Sequence, residues 1–225
     1  MNISKDISNK IEPHLAEALR DIASVTTKYD IPFFVLGATS RYLFFNTLVD
    51  IPTGRATLDI EFGIQVKQWE DFQRVTDGMI ALGKYMRDDK KAHRLYSKST
   101  VDILPFGEIE LPVGTILWPP YNDTMMRTIG FSEAMRSSIN VCVAKDPELI
   151  VKVSTPPGLI LMKLSAWNDG DNDRKLKDAV DIHFLLNKYI DAGNMMKRGI
   201  IDEYTPMMAL ELLKQFYIGM NELTA

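Results

Sequence analysis

Ala56-Thr57-Leu58-Asp59-Ile60-Glu61-Phe62-Gly63-Ile64-Gln65-Val66 alternates with a period of two. Leu58, Ile60, Phe62, Ile64 and Val66 fall on one face; Thr57, Asp59, Glu61, Gly63 and Gln65 fall on the other. This pattern predicts a strand with one fully apolar face. Asp59 and Glu61 then project from the same side, about 7 Å apart along the chain. Two carboxylates this close repel unless a cation sits between them. Hard Mg²⁺ (or Mn²⁺) suits such a pair, with phosphate oxygens completing its shell. The alternative is that both acids are simply solvated on the outer face of an amphipathic strand.

Outward from this strand, Asp102 lies in Thr100-Val101-Asp102-Ile103-Leu104, a run in which a buried strand would ordinarily avoid an acid. Either it pairs with a neighbouring basic residue, or it joins Asp59 and Glu61 as a third carboxylate at one end of a sheet, an arrangement suited to two metal ions. Upstream, Ile31–Gly37 reads as a short buried strand ending in a glycine, and Thr39 is available to cap the helix that follows. Backbone N–H groups at such a turn bind phosphate, and Thr39 and Ser40 add hydroxyl donors. Further elements follow from periodicity. They are helices over the first thirty residues and Trp69–Leu82, strands at His93–Ser97 and Thr100–Leu104, and a strand pair around Lys145-Asp146-Pro147.

Thr155-Pro156-Pro157 carries a cap-and-proline signal for a helix through Trp167, and a second helix is expected from Arg174 to Tyr189. Thr205-Pro206 repeats the signal for a last helix with Ala209, Leu212, Leu213, Phe216 and Met220 as its stripe. Strands therefore gather before residue 155 and helices after it. The expected architecture is α/β (α+β): a mixed sheet domain over 1–154 and a helical part over 155–225 packed on it. On the second helix Asp178 and Asp181 share a face, with Arg174 and Lys177 placed one turn earlier for intrahelical pairing. Lys163 sits in an otherwise apolar turn, where a lysine either snorkels past the core or meets an anion.

The 225 residues are 46% hydrophobic and 25% charged, an ordinary globular composition that excludes disorder as the default. No apolar run approaches the ~20 residues of a membrane span, so no membrane partner is expected. The polar opening residues do not form a secretory core, and the single Cys142 cannot make an internal disulfide; cytoplasm is the expected compartment. Three scattered histidines and one cysteine do not make an ordinary zinc site. The net charge of −4 argues against a chain-wide nucleic-acid binder, although Lys90, Lys91, His93, Arg94 and Lys98 form a local basic patch.

In order, Leu36-Gly37-Ala38-Thr39, Arg55-Ala56-Thr57-Leu58-Asp59-Ile60-Glu61, Val101-Asp102-Ile103, Lys163-Leu164-Ser165-Ala166 and Arg174-Lys175-Leu176-Lys177-Asp178-Ala179-Val180-Asp181 resemble the nucleotidyltransferases of the DNA polymerase β superfamily. The C-terminal pieces narrow the resemblance to the AbiEii/AbiGii toxin-like family. Ala38 stands where glycine or serine is customary, and Glu61 where aspartate is commoner. The resemblance implies transfer of an NMP from an NTP to an acceptor hydroxyl of an RNA or tRNA end, a protein or a small molecule. It implies Asp59, Glu61 and Asp102 as metal ligands, with Lys163 neutralising the leaving pyrophosphate. Gly37, Thr39, Ser40, Arg55, Thr57, Lys163, Asp178 and Asp181 would face the nucleotide, with the acids of the second helix either orienting Lys163 or binding sugar or base. It also implies an antitoxin protein as partner. The alternative is a nucleotide-binding or regulatory module that keeps the fold with weak turnover.

Overall fold

The computed structural model describes residues 5–53, 59–122, 124–167 and 172–196. The helix expected from Thr205, and Arg55 and Thr57, lie outside the described residues. In chain order the elements are β1 (Lys5–Asp6), α1 (Pro13–Lys28), β2 (Phe33–Leu36), α2 (Gly37–Tyr42), a π-helical continuation (Leu43–Leu48), β3 (Asp59–Val66), α3 (Trp69–Ala81), β4 (Met86–Arg87), β5 (Arg94–Tyr96) and β6 (Thr100–Gly107). There follow β7 (Thr115–Leu117), β8 (Met125–Arg127), α4 (Phe131–Arg136), β9 (Ile139–Lys145), β10 (Glu148–Val153), α5 (Pro156–Ala166) and α6 (Asn172–Met196).

Eight strands form one mixed sheet in the order β1-β9-β10-β2-β3-β6-β5-β4, and β7 and β8 pair separately. β3 runs antiparallel to β2 and parallel to β6, with Glu61 opposite Asp102. β5 pairs antiparallel with β6, which sets Arg94 opposite Asp102. The period-two reading holds along β3. Ile60, Phe62, Ile64 and Val66 are buried in the core that also takes Leu19 and Ile22 of α1 and Val75 and Met79 of α3. The other face is not open to water. A Cβ at Gly63 would come within 2.3 Å of the Phe34 ring, so the glycine is what admits that ring against the strand.

Phe34 starts a second core with Phe44, Phe45, Phe106, Phe131, Leu159 and Leu185, contributed by the helices on that side. Phe34, Phe106 and Phe131 meet with ring centroids 5.6–6.5 Å apart. Edge-to-face contacts of this kind add about 0.5–1.5 kcal/mol each beyond burial. Helices thus cover both faces, and the acidic residues of β3 sit on the face shared with α2, α5 and α6. The short strands β1, β4, β7 and β8 and the one-turn α4 have too few residues to show a period and were not legible in sequence. No described helix is long and apolar enough to cross a membrane.

Candidate active site

Leu36 leaves β2 extended, and Gly37 turns the chain with φ +63° directly into α2. The helix therefore starts two residues before Thr39, and Thr39 lies inside it rather than at its cap. A Cβ on Gly37 would stand 1.5 Å from Glu61 Oε2, so only glycine fits here. The Ala38 N–H donates to that same carboxylate oxygen at 3.1 Å. The Thr39 hydroxyl donates to the Asp59 carbonyl at 2.9 Å, and the Ser40 hydroxyl to the Ser154 carbonyl at 2.6 Å. Both side chains are buried, so they fasten α2 to β3 and to the β10–α5 junction.

A cavity of about 700 Å³ opens beside this turn, with Gly37, Ala38, Asp59 and Glu61 on one wall. Asp59 is exposed at the start of β3, and Glu61 lies deeper. Burial lifts the Glu61 carboxyl above the ordinary glutamate range. The Ala38 N–H and Lys163 oppose that shift, while Asp102 and Asp59 add to it. Oxygen donors whose ionisation is made costly by burial and by neighbouring acids fit a divalent cation, which would offset that cost. Asp102 shares their sheet face, but its carboxylate is bound by Arg94 through Nε and Nη2, each at 2.7 Å. The pairing with a neighbouring basic residue is thus the one the structure displays. Among the described residues no three His, Cys, Asp or Glu side chains come close enough to hold one ion between them.

The Glu61 shift has a testable sign. A carboxyl that binds its proton more tightly when folded costs stability at neutral pH, and that cost fades as pH falls toward the unfolded value near 4.5. Glu61→Gln keeps an acceptor for Ala38 N–H and removes the charge. Without added metal its melting temperature should exceed the wild type's at pH 7, and the two should converge near pH 4. A gap that widens on acidification would contradict the assignment.

The opposite wall is cationic. Arg41, Lys163, Lys177 and Arg127 line it. Lys163 Nζ lies 2.8 Å from both Asp178 Oδ1 and Asp181 Oδ2, and Arg41 Nη1 lies 2.5 Å from Asp181 Oδ1. Both aspartates therefore reach off α6, to α5 and α2, in place of the pairing along α6 that their spacing allowed. Of their two roles left open by sequence, orienting Lys163 is the one this geometry supplies. Burial lowers the Lys163 pKa, but hydrogen bonds to Asp178 and Asp181 outweigh it and hold the amine above its ordinary value. The Arg41 guanidinium also stacks 5.5 Å from the Phe184 ring.

These contacts overturn the expectation that Lys163 could be removed without loss to the fold. Lys163→Met should cost about 2–4 kcal/mol, below the full buried-pair figure because all three groups keep some solvent contact. Asp181 would retain Arg41, but Asp178 would lose the cation it now holds. Adding Asp178→Asn should recover part of the melting temperature without restoring nucleotide affinity. Equal melting temperatures for wild type and Lys163→Met would refute the structural half of this expectation.

The family profile described as "Nucleotidyl transferase AbiEii toxin, Type IV TA system" matches residues 17–216. The chain belongs to the AbiEii family. It is a nucleotidyltransferase, and its cavity joins the acidic β3 to the paired cations of α2 and α5 as such an activity requires. A comparison with curated proteins finds no significant match.

Solved structures similar to this AbiEii chain include the antibiotic-resistance factor ANT(2'')-Ia, at 10% identity and a TM-score of 0.42, covering 84% of this chain and 98% of that one. An antigenic nucleotidyltransferase-like protein from Paracoccidioides brasiliensis has 14% identity and a TM-score of 0.48, with 77% and 75% covered. The Thermotoga maritima CCA-adding enzyme complexed with tRNA has 15% identity and a TM-score of 0.38, with 97% and 55% covered. Likeness this remote carries no information on the substrate of the AbiEii chain.

Sequence reasoning missed Arg41 as a site residue and placed Arg94 only in a basic patch. Arg41 had a signal: it follows Gly37 by four residues, one helical turn, and is the only charge in Gly37–Phe45.

Proposed function

We propose that this AbiEii protein transfers an NMP from an NTP to an acceptor hydroxyl, with a divalent cation held by Asp59 and Glu61. The observation that carries the reading is one cavity with two carboxylates on one wall and Lys163, Arg41 and Lys177 on the other. When bound, the cation polarises phosphate oxygens and neutralises the charge that develops at the α-phosphorus. Lys163, kept protonated and aimed by Asp178 and Asp181, stabilises the departing pyrophosphate. The triphosphate takes the Ala38 N–H from Glu61, whose carboxylate then turns to the cation. Thr39 and Ser40 act by fixing the turn, through their bonds to Asp59 and Ser154, and Arg55 and Thr57 join the nucleotide contacts as the family resemblance implies. Directed at a hydroxyl the cell needs, this activity would make the chain the toxin of a pair restrained by an antitoxin protein.

The test incubates the protein with each of the four α-labelled NTPs, Mg²⁺ or Mn²⁺, and total RNA. Intact mass of the protein is read in parallel, and an aminoglycoside serves as the small-molecule arm. Label is expected on one acceptor class, with pyrophosphate released. One observation favours the alternative, a module with weak turnover: Glu61 occupies the turn amide that a phosphate would use. Metal-dependent NTP binding with no pyrophosphate release in any arm would establish that alternative and end the transferase reading.

A further inference from the structure

Asp102 is the one acid of the trio that a basic residue already neutralises. Arg94 stands opposite it in the β5–β6 register and grips both of its oxygens, at 2.7 Å each. The pair is closed in: Asp102 is 7% exposed, and neither partner lines the cavity. Asp59 and Glu61 do line it. A planar guanidinium bound through two parallel hydrogen bonds is among the strongest partners a carboxylate finds, and removing either member of a poorly solvated pair is costly. A second metal ion at Asp102 would have to displace Arg94 while meeting its charge at close range. The asymmetry lies in the geometry: two acids face the substrate space and the third faces an arginine.

We infer that Arg94 is the resident cation of Asp102, so that the site takes one divalent ion, at Asp59 and Glu61, and Arg94 holds the position a second ion would need. This rests on the metal-dependent reading above. Arg94 is then a positioning residue: it keeps Asp102 ionised and stationary beside Glu61, one strand away, without touching substrate. The hairpin builds this in. Directly opposed residues on adjacent antiparallel strands have their Cβ atoms about 4.5–5.5 Å apart, the reach needed for a two-bond arginine–carboxylate pair.

The experiment counts bound Mn²⁺ by calorimetry and by electron paramagnetic resonance, on the full chain with a non-hydrolysable ATP analogue. Wild type is expected to bind one ion. Asp102→Asn should also bind one ion, with affinity within about twofold, while Asp59→Asn should lose affinity by roughly tenfold or more. Arg94→Gln should gain a second, weaker ion, an outcome that a merely structural arginine would not give. Two ions in wild type with one lost in Asp102→Asn would overturn the inference, as would an Arg94→Gln protein that folds and still binds one. Should Arg94→Gln fail to fold, the Asp102→Asn comparison decides alone. A wild type that binds no Mn²⁺ overturns the metal-dependent reading and this inference with it. Loss in Asp59→Asn together with loss in Asp102→Asn overturns the inference alone.

Discussion

Asp59→Asn should reduce label transfer from NTP by roughly 10²–10⁴-fold, since a metal's charge stabilisation is worth several kcal/mol and each 1.36 kcal/mol is a factor of ten. The substitution preserves size and hydrogen-bonding capacity and removes one unit of charge from the cavity wall. Asp59 is exposed, and the bond its residue gives to the fold is accepted by its backbone carbonyl from Thr39, which Asn retains. Melting temperature without metal should therefore stay level or rise slightly, because Asp59 is one of the charges that make Glu61 costly to ionise. The two readouts move apart only if Asp59 serves chemistry. Transfer at the wild-type rate would sink the mechanism, and a large loss of melting temperature would make Asp59 structural.

Gly37→Ala is expected to damage both fold and activity. The new methyl would fall 1.5 Å from Glu61 Oε2, and alanine would have to adopt φ +63°. Strained backbone of this kind and a displaced, poorly solvated carboxylate together cost about 2–6 kcal/mol. For a chain of this size that corresponds to a melting-temperature loss of roughly 5–20 °C. Gly37→Ala combined with Glu61→Ala removes the collision but not the backbone strain, so about half of the stability loss should return while transfer stays abolished. Full recovery in the double variant would show that φ at residue 37 contributes nothing. No loss in the single variant would show that the turn is built differently from the structure described.

The candidate site was legible in sequence to different depths. Asp59 and Glu61 were readable because a strand has a period of two, and eight residues suffice to show which side each faces. Gly37 was readable as a turn, but its physical requirement, the approach of Glu61, joins residues 24 apart and needs the β2–β3 pairing. Asp102 was placed on the right face, yet its partner was left open, because the register of a hairpin depends on its turn and a one-residue slip sends every side chain to the other face. The acids of α6 illustrate the limit most plainly. Spacing alone allowed pairing along the helix, whereas packing against α5 and α2 offered Lys163 and Arg41 as less solvated partners, and charge pairs strengthen as water is excluded.

By itself, then, the amino-acid order determined the local periods. These gave a strand with two acids on one side, a glycine between a strand and a helix, apolar helices after residue 155, and motifs in the order of a nucleotidyltransferase. The tertiary structure decided the partnerships. Arg41 and Asp181 are 140 residues apart, and nothing local links them. Which cation meets which carboxylate, and which acid is left facing the cavity, depends on strand register and helix packing, because an ion pair is set by distance and dielectric rather than by sequence separation.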